Sequence, residues 1–541
     1  HSSTVAGLAA AFGSGAMTNS VDELEDADCI FVIGSNTSSS HPLVAHRLFR
    51  AKEKGAKLIV ADPRKIHLAS MADIYVSQNL GTDVALLNGI MHAILERGLQ
   101  DQVFIEERTE GFEAFLKVVE NYAPDRVAEI TGVAAEDIIK IAEMYGAAGA
   151  ASIVYCMGIT QHTSGVDNVK SLANLAMLTG NMGKESTGVN PLRGQNNVQG
   201  ACDMGSLPNV YPGYQAVTMP EIKEKFESAW NAELSDQVGL TIPHMLSGLL
   251  EGSVKALFVM GENPMLSDPD VAHVEKALKS AELLVVQDIF LTPTAEFAHV
   301  VLPGTSFAEK DGTFTNTERR VLRVRKAIEP VGDSKPDWEI TQEISNRVGY
   351  AMDYGSPGAI MEEIASVTPS YGGISYDRLE GEGLQWPCPN SEHAGTRFLH
   401  KDKFVRGKGL FHAVEHQQPA EVVDEEYPFW LTTGRMHVHY HTGTMTRNSP
   451  SLNAEISEAY LEMNPADANQ LGVRQGDLVR VASRRGEITT KTMVTERVRE
   501  GILFMPFHFV ESNANILTNP AHDPTVKIPE FKVCAVRVER A

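Results

Sequence analysis

Between Asn190 and Gln215 the chain reads NPLRGQNNVQGACDMGSLPNVYPGYQ, with Arg193, Gln195, Asn196, Asn197 and Gln199 in close succession. A guanidinium offers five N–H donors in a planar fork, and the amides beside it both donate and accept. That set suits a grip on a polyfunctional polar ligand. The stretch is too rich in Gly, Asn, Gln and Pro for a regular element, so an ordered loop is expected. A second cluster, GRMHVHYHTGT, alternates His437, His439 and His441. On a strand the three imidazoles would share one face and could hold zinc. The competing reading makes Arg435, His439 and Tyr440 donors to a bound cofactor. No carboxylate or thiol accompanies the histidines, and the adjacent loop is full of hydroxyls.

The elements that must position these residues show an internal repeat. Residues 31–46, FVIGSNTSSSHPLVAH, and 258–273, FVMGENPMLSDPDVAH, share nine of sixteen positions at one offset. Each copy reads as strand, polar loop, helix, strand: CIFVIG, SNTSSSHP, LVAHRLFRAKEKG and KLIVAD in the first, KALFVMG, ENPMLSDP, DVAHVEKALKSA and LLVVQD in the second. This is the grammar of a doubly wound α/β sheet, in which ligands bind beyond the carboxyl ends of the strands. Both copies keep Gly-x-Asn after the first strand and Asp after the second. Neither has G-x-G-x-x-G, so the expectation is two related nucleotide sites rather than a plain NAD site.

After Pro330 the repetition stops. SKPDWEITQEISNRVGYAM reads as an amphipathic helix with Asp337 near its start as cap or ligand. From Glu426 onward the pattern becomes β, with SRRGEI a hairpin tip and NPADANQLGV a short capped helix, which predicts a C-terminal β-barrel. The expected division is 1–195 and 196–330 as two related α/β domains, 331–425 as a mixed connection, and 426–541 as the barrel. The 541 residues carry a formal net charge of −23, which excludes attraction to nucleic acid or anionic lipid. No apolar run approaches the roughly 18 residues of a membrane span. The five cysteines, Cys29, Cys156, Cys202, Cys388 and Cys534, are scattered, with no local zinc or iron–sulfur spacing, and fit a reducing cytoplasm.

RGQNNVQGACDMGSLPNVYPGYQ, CMGITQHTSGVDNVKSLANLAMLTGN, TTGRMHVHYHTGTMTR and PEFKVCAVRVE resemble the catalytic alpha subunit of formate dehydrogenases of the molybdopterin guanine dinucleotide class. The resemblance runs from His1 to Glu539. It implies an enzyme of anaerobic metabolism that oxidises formate to CO2, or runs in reverse. Two molybdopterin guanine dinucleotides would hold molybdenum or tungsten, one on each α/β domain, under a double-psi β-barrel. It also implies a [4Fe-4S] cluster in a segment ahead of His1, and a Cys or selenocysteine metal ligand immediately before His1. No metal ligand is expected within this chain, which alone would be inactive. Electrons would pass to iron–sulfur, flavoprotein or hydrogenase partner subunits.

By the same resemblance Arg193 binds formate and His1 handles the proton. The expected cofactor ligands are Asn36, Ser40, Asp62, Arg64, Asp83, Gly158, Gln161 and Gln195. Gly261, Asn263, Gln287, Asp288 and Asp337 follow in the second copy, and Arg435, His439, Tyr440, Asn515 and Lys532 in the barrel. The alternatives are another member of the class, such as an assimilatory nitrate reductase, and a scaffold subunit without cofactor.

Overall fold

The computed structural model describes residues 1–541 and falls into two units, 1–194 with 266–272 and 398–541, and 195–265 with 273–397. In the first unit β1 (Cys29–Ile33), β2 (Lys57–Ala61), β3 (Ile74–Val76), β4 (Ala151–Tyr155) and β5 (Gly188–Pro191) form a parallel sheet in the order β3-β2-β1-β4-β5. Its strands are near-continuous apolar runs because both faces are covered, as parallel sheets require. On one face Cys29, Phe31 and Ile33 join a core with α3 (Asp83–Glu96), α4 (Ala135–Gly146) and α5 (Gly165–Leu178). On the other, Ile30 and Val32 meet Val44 and Leu48 of α2 (Pro42–Glu53). Helix α1 (Ser2–Phe12) lies against α5 so closely that a Cβ on Gly7 would stand 2.7 Å from Val169 Cβ.

In the second unit β6 (Ala256–Met260), β7 (Leu283–Asp288) and β8 (Val300–Pro303) form a three-stranded parallel sheet in the order β8-β7-β6. Helices α6 (Ile242–Glu251) and α7 (Val271–Ser280) pack on one of its faces through Leu246, Leu249, Val274 and Leu278. Helix α8 (Asp337–Arg347) follows the Lys-Pro signal, with Pro336 as its N-cap residue. The expected helix over the SKPDWEITQEISNR stretch is therefore present.

The chain ends in a closed barrel in the first unit. Its strands are β9 (Phe429–Gly434), β10 (Tyr460–Met463), β11 (Leu478–Ala482), β12 (Glu487–Val494), β13 (Ile502–Pro506) and β14 (Cys534–Arg540). They close in the order β9-β13-β10-β12-β11-β14. β11 and β12 form the expected hairpin, and β12 alternates exposed Glu487, Thr489 and Lys491 with buried Ile488, Thr490 and Thr492.

Three local expectations change. SNTSSSHP is not all loop: Thr37–Ser40 makes one helical turn, with Ser40 N donating to Asn36 O at 3.0 Å. The Asn-rich stretch contains a short helix, Val198–Asp203, and a two-residue hairpin pairing of 210–211 with 215–216. The histidines of GRMHVHYH do not lie on a strand. Gly434 forms the last pair of β9, its carbonyl accepting from Phe507 N at 3.4 Å, so the strand stops before Arg435.

One ion pair ties the α/β sheet to the barrel inside this unit. Arg64, after β2, donates from Nε and Nη2 to Glu462 of β10 at 2.6 Å each, and its guanidinium lies 4.2 Å from the centre of the Phe504 ring. Glu462 is fully buried. Removing one partner of a buried pair strands the other charge, at a cost of about 3 kcal/mol or more. Glu462→Ala is therefore expected to lower the urea midpoint for barrel unfolding, followed by the fluorescence of Trp430 on β9, and a midpoint unchanged from wild type would show that the pair contributes nothing.

Candidate active site

Parallel strands end together, and this sheet delivers four loops to one edge: 34–36 after β1, 62–64 after β2, 156–158 after β4 and 192–194 after β5. The chain order reverses between β1 and β4, which is where open α/β sheets bind ligands. There Gly158 N donates to Gly34 O at 3.0 Å, and a Cβ on Gly158 would stand 2.6 Å from Gly34 Cα. Gly34 has φ +56°, so both a left-handed turn and a close backbone approach are needed at this crossing.

Arg193 lies two residues past β5 and is 3% exposed. Three side chains hold its peptide. His41 Nε2 donates to Arg193 O at 2.7 Å, Arg435 Nη1 donates to Gly194 O at 3.0 Å, and Gly194 N donates to His1 Nε2 at 3.4 Å. Burial lowers the His41 pKa, which favours the neutral donor. A Cβ on Gly194 would meet Arg435 Nη2 at 2.6 Å, so the guanidinium in this position lies against the bare glycine backbone.

The charges around this peptide are poorly compensated. Arg435 is half-buried and its guanidinium bonds a carbonyl rather than a carboxylate. Lys532, which is buried, donates from Nζ to Thr433 O at 2.6 Å. Burial depresses the Lys532 pKa to about 8, helped by nearby Arg435, and it also lowers the Arg435 pKa. Burial raises the Asp62 carboxyl to about 6, against the pull of Arg64 N, which donates to Asp62 Oδ1 at 2.9 Å. The thiol of Cys156 is pushed up by burial and donates to Leu192 O at 3.0 Å.

His508, fully buried, accepts from Met436 N at 3.0 Å through Nε2 and donates through Nδ1 to His441 O. This fixes one neutral tautomer, and burial takes its pKa down to about 3. Burial likewise takes His441 to about 4. A cavity of about 790 Å³ opens beside this group, lined among others by Asn36, Arg64, Arg435, His437 and Tyr460.

The remaining expected residues divide by unit. In the first, Asn36 Oδ1 and Ser38 Oγ are buried with no hydrogen-bond partner, and Ser40 lies on the same turn. Asp83 is the first residue of α3, accepts from Gln78 Nε2 at 3.0 Å, and lies 3.9 Å from His162 Nε2; burial raises its pKa. Gln161 follows the Gly158 turn, and its carbonyl accepts from Lys532 N at 3.4 Å. Tyr440 is 40% exposed, its ring centre 6.0 Å from the Arg435 guanidinium.

Two barrel residues are taken up by the fold. His439 bonds Thr446 Oγ1 at 3.1 Å and donates to Ile456 O at 2.7 Å, while His437 points outward. No group of three histidines, cysteines or carboxylates converges as a metal site, so the zinc reading of this cluster is not supported by its geometry. Asn515 Nδ2 donates to Leu266 O and Ser267 O at 2.8 and 3.2 Å.

In the second unit Gln195 is half-buried, and Gly261 takes φ +61° after β6. Asn263 Oδ1 accepts from Thr294 Oγ1 at 2.7 Å. Asp288 Oδ1 accepts from Ile289 N at 2.7 Å and Phe290 N at 3.2 Å, and burial raises its pKa. Gln287 Nε2 donates to Asp337 Oδ1 at 2.7 Å, Lys310 Nζ pairs with the same aspartate, and Gln287 Oε1 is buried without a partner.

Sequence reasoning overlooked His41, Cys156, His508 and Glu462. The only signal for His41 was its place in the repeated loop. The other three are recognisable only once the strand ends are assembled.

Residues 3–347 match the molybdopterin oxidoreductase family, and 429–535 match the Molydopterin dinucleotide binding domain. The F420-dependent formate dehydrogenase subunit alpha of Methanocaldococcus jannaschii is 55% identical over 544 residues, which span all of this chain and 80% of that one. Formate dehydrogenase H of Escherichia coli is 44% identical over 546 residues, 76% of its length. The fold matches acetylene hydratase from Pelobacter acetylenicus, with a TM-score of 0.77 at 21% identity, over all of this chain and 81% of that one.

A molybdopterin dinucleotide suits the donor set. Its diphosphate is anionic, and the half-buried Arg435 and buried Lys532 are cations that bond carbonyls. Its base and pterin carry N–H donors, and the acceptor Asn36 Oδ1 is buried without a donor; in the second unit, Gln287 Oε1 is likewise buried without one.

Lys532 makes the electrostatics measurable. Its folded pKa lies below that of the unfolded chain, so the folded state binds the proton more weakly. Stability of the ligand-free chain should therefore rise with pH through about 8 to about 10.4, by up to ~3 kcal/mol. Below that window the burial penalty is present in full. Lys532→Met should remove this slope in urea titrations of the ligand-free chain; equal slopes in the two proteins would refute the assignment.

Proposed function

We propose that this chain, which belongs to the molybdopterin oxidoreductase family, oxidises formate to CO2, with Arg193 as the formate-binding residue. The observation that carries the reading is the buried Arg193 at the end of β5, its peptide held by His1, His41 and Arg435. Arg64, the other arginine at this edge, is committed to Glu462.

Oxidation removes the formate C–H hydrogen as a proton and two electrons. The bound dinucleotide pair with its molybdenum or tungsten supplies the two-electron acceptor. Everything else falls to the chain. The Arg193 fork pairs both formate oxygens in a site shielded from water, where a charge-assisted bidentate bond is strong. That pairing leaves the C–H as the free end of the substrate and fixes its direction. His41 and Arg435 hold the carbonyls of residues 193 and 194, so the fork is oriented before substrate arrives.

His1 Nε2 accepts the Gly194 N–H, which seats its imidazole beside the Arg193 peptide, where it would handle the released proton. Asn36, Asp62, Asp83, Gly158, Gln161, Arg435 and Lys532 would hold one dinucleotide, and Gly261, Asn263, Gln287, Asp288 and Asp337 the other. Electrons would leave through an iron–sulfur relay to a partner subunit. The relative at 55% identity is named for F420, so that coenzyme is the first acceptor to assay.

In the holoenzyme, Arg193→Ala should lower kcat/KM for formate at least ~100-fold, because one partner of a desolvated charge pair is worth 2–5 kcal/mol or more. Metal and guanine nucleotide content, measured on the same preparations, should stay at wild-type levels. Wild-type turnover by this variant would overturn the proposal.

A further inference from the structure

His1 and Arg193 reach the site from different elements. Arg193 follows β5, whereas His1 is the N-cap residue of α1, with Val5 N donating to His1 O at 3.1 Å. His1 makes no side-chain cap bond, so its own side chain does not secure this end of the helix. Whatever holds the first turn of α1 against the sheet therefore decides where the His1 imidazole stands relative to Arg193.

Tyr155, the last residue of β4, bonds toward both. Its carbonyl accepts from Leu192 N at 2.8 Å, one residue before Arg193. Its hydroxyl donates to Thr4 Oγ1 at 3.0 Å, three residues after His1. Both side chains are buried. Tyr155 lies in the apolar core with Phe31, Ile153 and, from α1, Leu8 and Phe12. A phenylalanine would fill that place without a polar atom to satisfy, because a hydroxyl buried in such a core is costly unless bonded. The hydroxyl makes a single bond, and that bond goes to the helix that carries His1. Burial raises the phenol pKa, and the charge of nearby Arg193 opposes it. The neighbouring Ser3, also buried, donates from Oγ to Thr160 O at 3.1 Å. The first turn of α1 is thus pinned at two points, to the end of β4 and to the loop that follows.

We propose that Tyr155 is a positioning residue for formate oxidation, its carbonyl and hydroxyl setting the separation of Arg193 and His1. The inference rests on the formate reading and adds to it the group that couples its two functional residues. With formate fixed by the Arg193 fork, the path of the released proton is fixed as well. A displacement of about 1 Å in such a placement can cost ~100-fold in rate. Without the phenol hydroxyl the first turn of α1 is free to move off β4, while His41 and Arg435 still hold the peptide of Arg193.

The test compares four holoenzyme variants with wild type: Tyr155→Phe, Thr4→Val, the two combined, and Thr4→Ser. In Tyr155→Phe kcat should fall about tenfold or more, with KM for formate within about twofold of wild type. Thr4→Val should match it, and the double variant should lose no more than either single one, because all three remove the same bond. The double variant strands neither partner, so its urea midpoint should return to wild type while kcat stays low. Thr4→Ser keeps the acceptor and should restore kcat. The Val5 amide should exchange faster in Tyr155→Phe by about tenfold or more. Wild-type kcat in Tyr155→Phe or in the double variant would overturn the inference, as would losses that multiply in the double variant. An unchanged Val5 exchange rate would do the same. A wild-type holoenzyme without formate turnover would instead overturn the formate reading and take this inference with it.

Discussion

The site depends on one close backbone approach, the crossing of Gly34 and Gly158 at the carboxyl ends of β1 and β4. Any side chain at Gly158 would push the two loops apart. The neighbouring strand β5 carries Arg193 just beyond its end, hydrogen-bonded to β4 through backbone groups including Leu192 N to Tyr155 O at 2.8 Å. A shift at the crossing is therefore transmitted along a rigid parallel ladder to the arginine. Catalytic groups placed on strand ends gain precision from this arrangement, because the sheet fixes their spacing before any ligand binds.

Around that crossing the protein buries charge that it does not itself neutralise. Arg435 and Lys532 bond carbonyls, and burial shifts both toward neutrality; Asp62 and Asp83 are shifted the same way from the acidic side. Such a group of displaced titrations in one place is costly in a stable fold and common in a functional one. Contrast Arg64 and Glu462, where a buried charge is fully matched by a bidentate partner and an aromatic face. The two outcomes at one sheet edge set a matched ion pair beside charged groups displaced toward neutrality.

Much of this was legible in the chain. The repeat announced two related α/β units because identical residues recur where a strand turns into a loop and a helix begins. The barrel was legible from period-two alternation, best kept in Glu487–Val494. Arg193 stood out because its neighbours are amides rather than a solvated charged run. The alternation of His437, His439 and His441 misled for a specific reason. Periodicity marks a strand only while a partner pairs with it, and the pairing of β9 with β13, far along the chain, ends at Gly434.

By itself, then, the sequence determined the element types, the duplication and the identity of the polar groups, since these rest on local periodicity and residue chemistry. Only the tertiary structure decided what holds each polar group. Arg64 and Arg193 both follow a strand and look alike in sequence, yet Glu462 pairs with the first from 398 residues away, while the backbone beside the second is held by His1, His41 and Arg435. The unequal cover of the two repeats is likewise invisible in their shared residues. Burial belongs to whatever packs on a face, and for Phe258 and Phe31 that differs although the residue is the same.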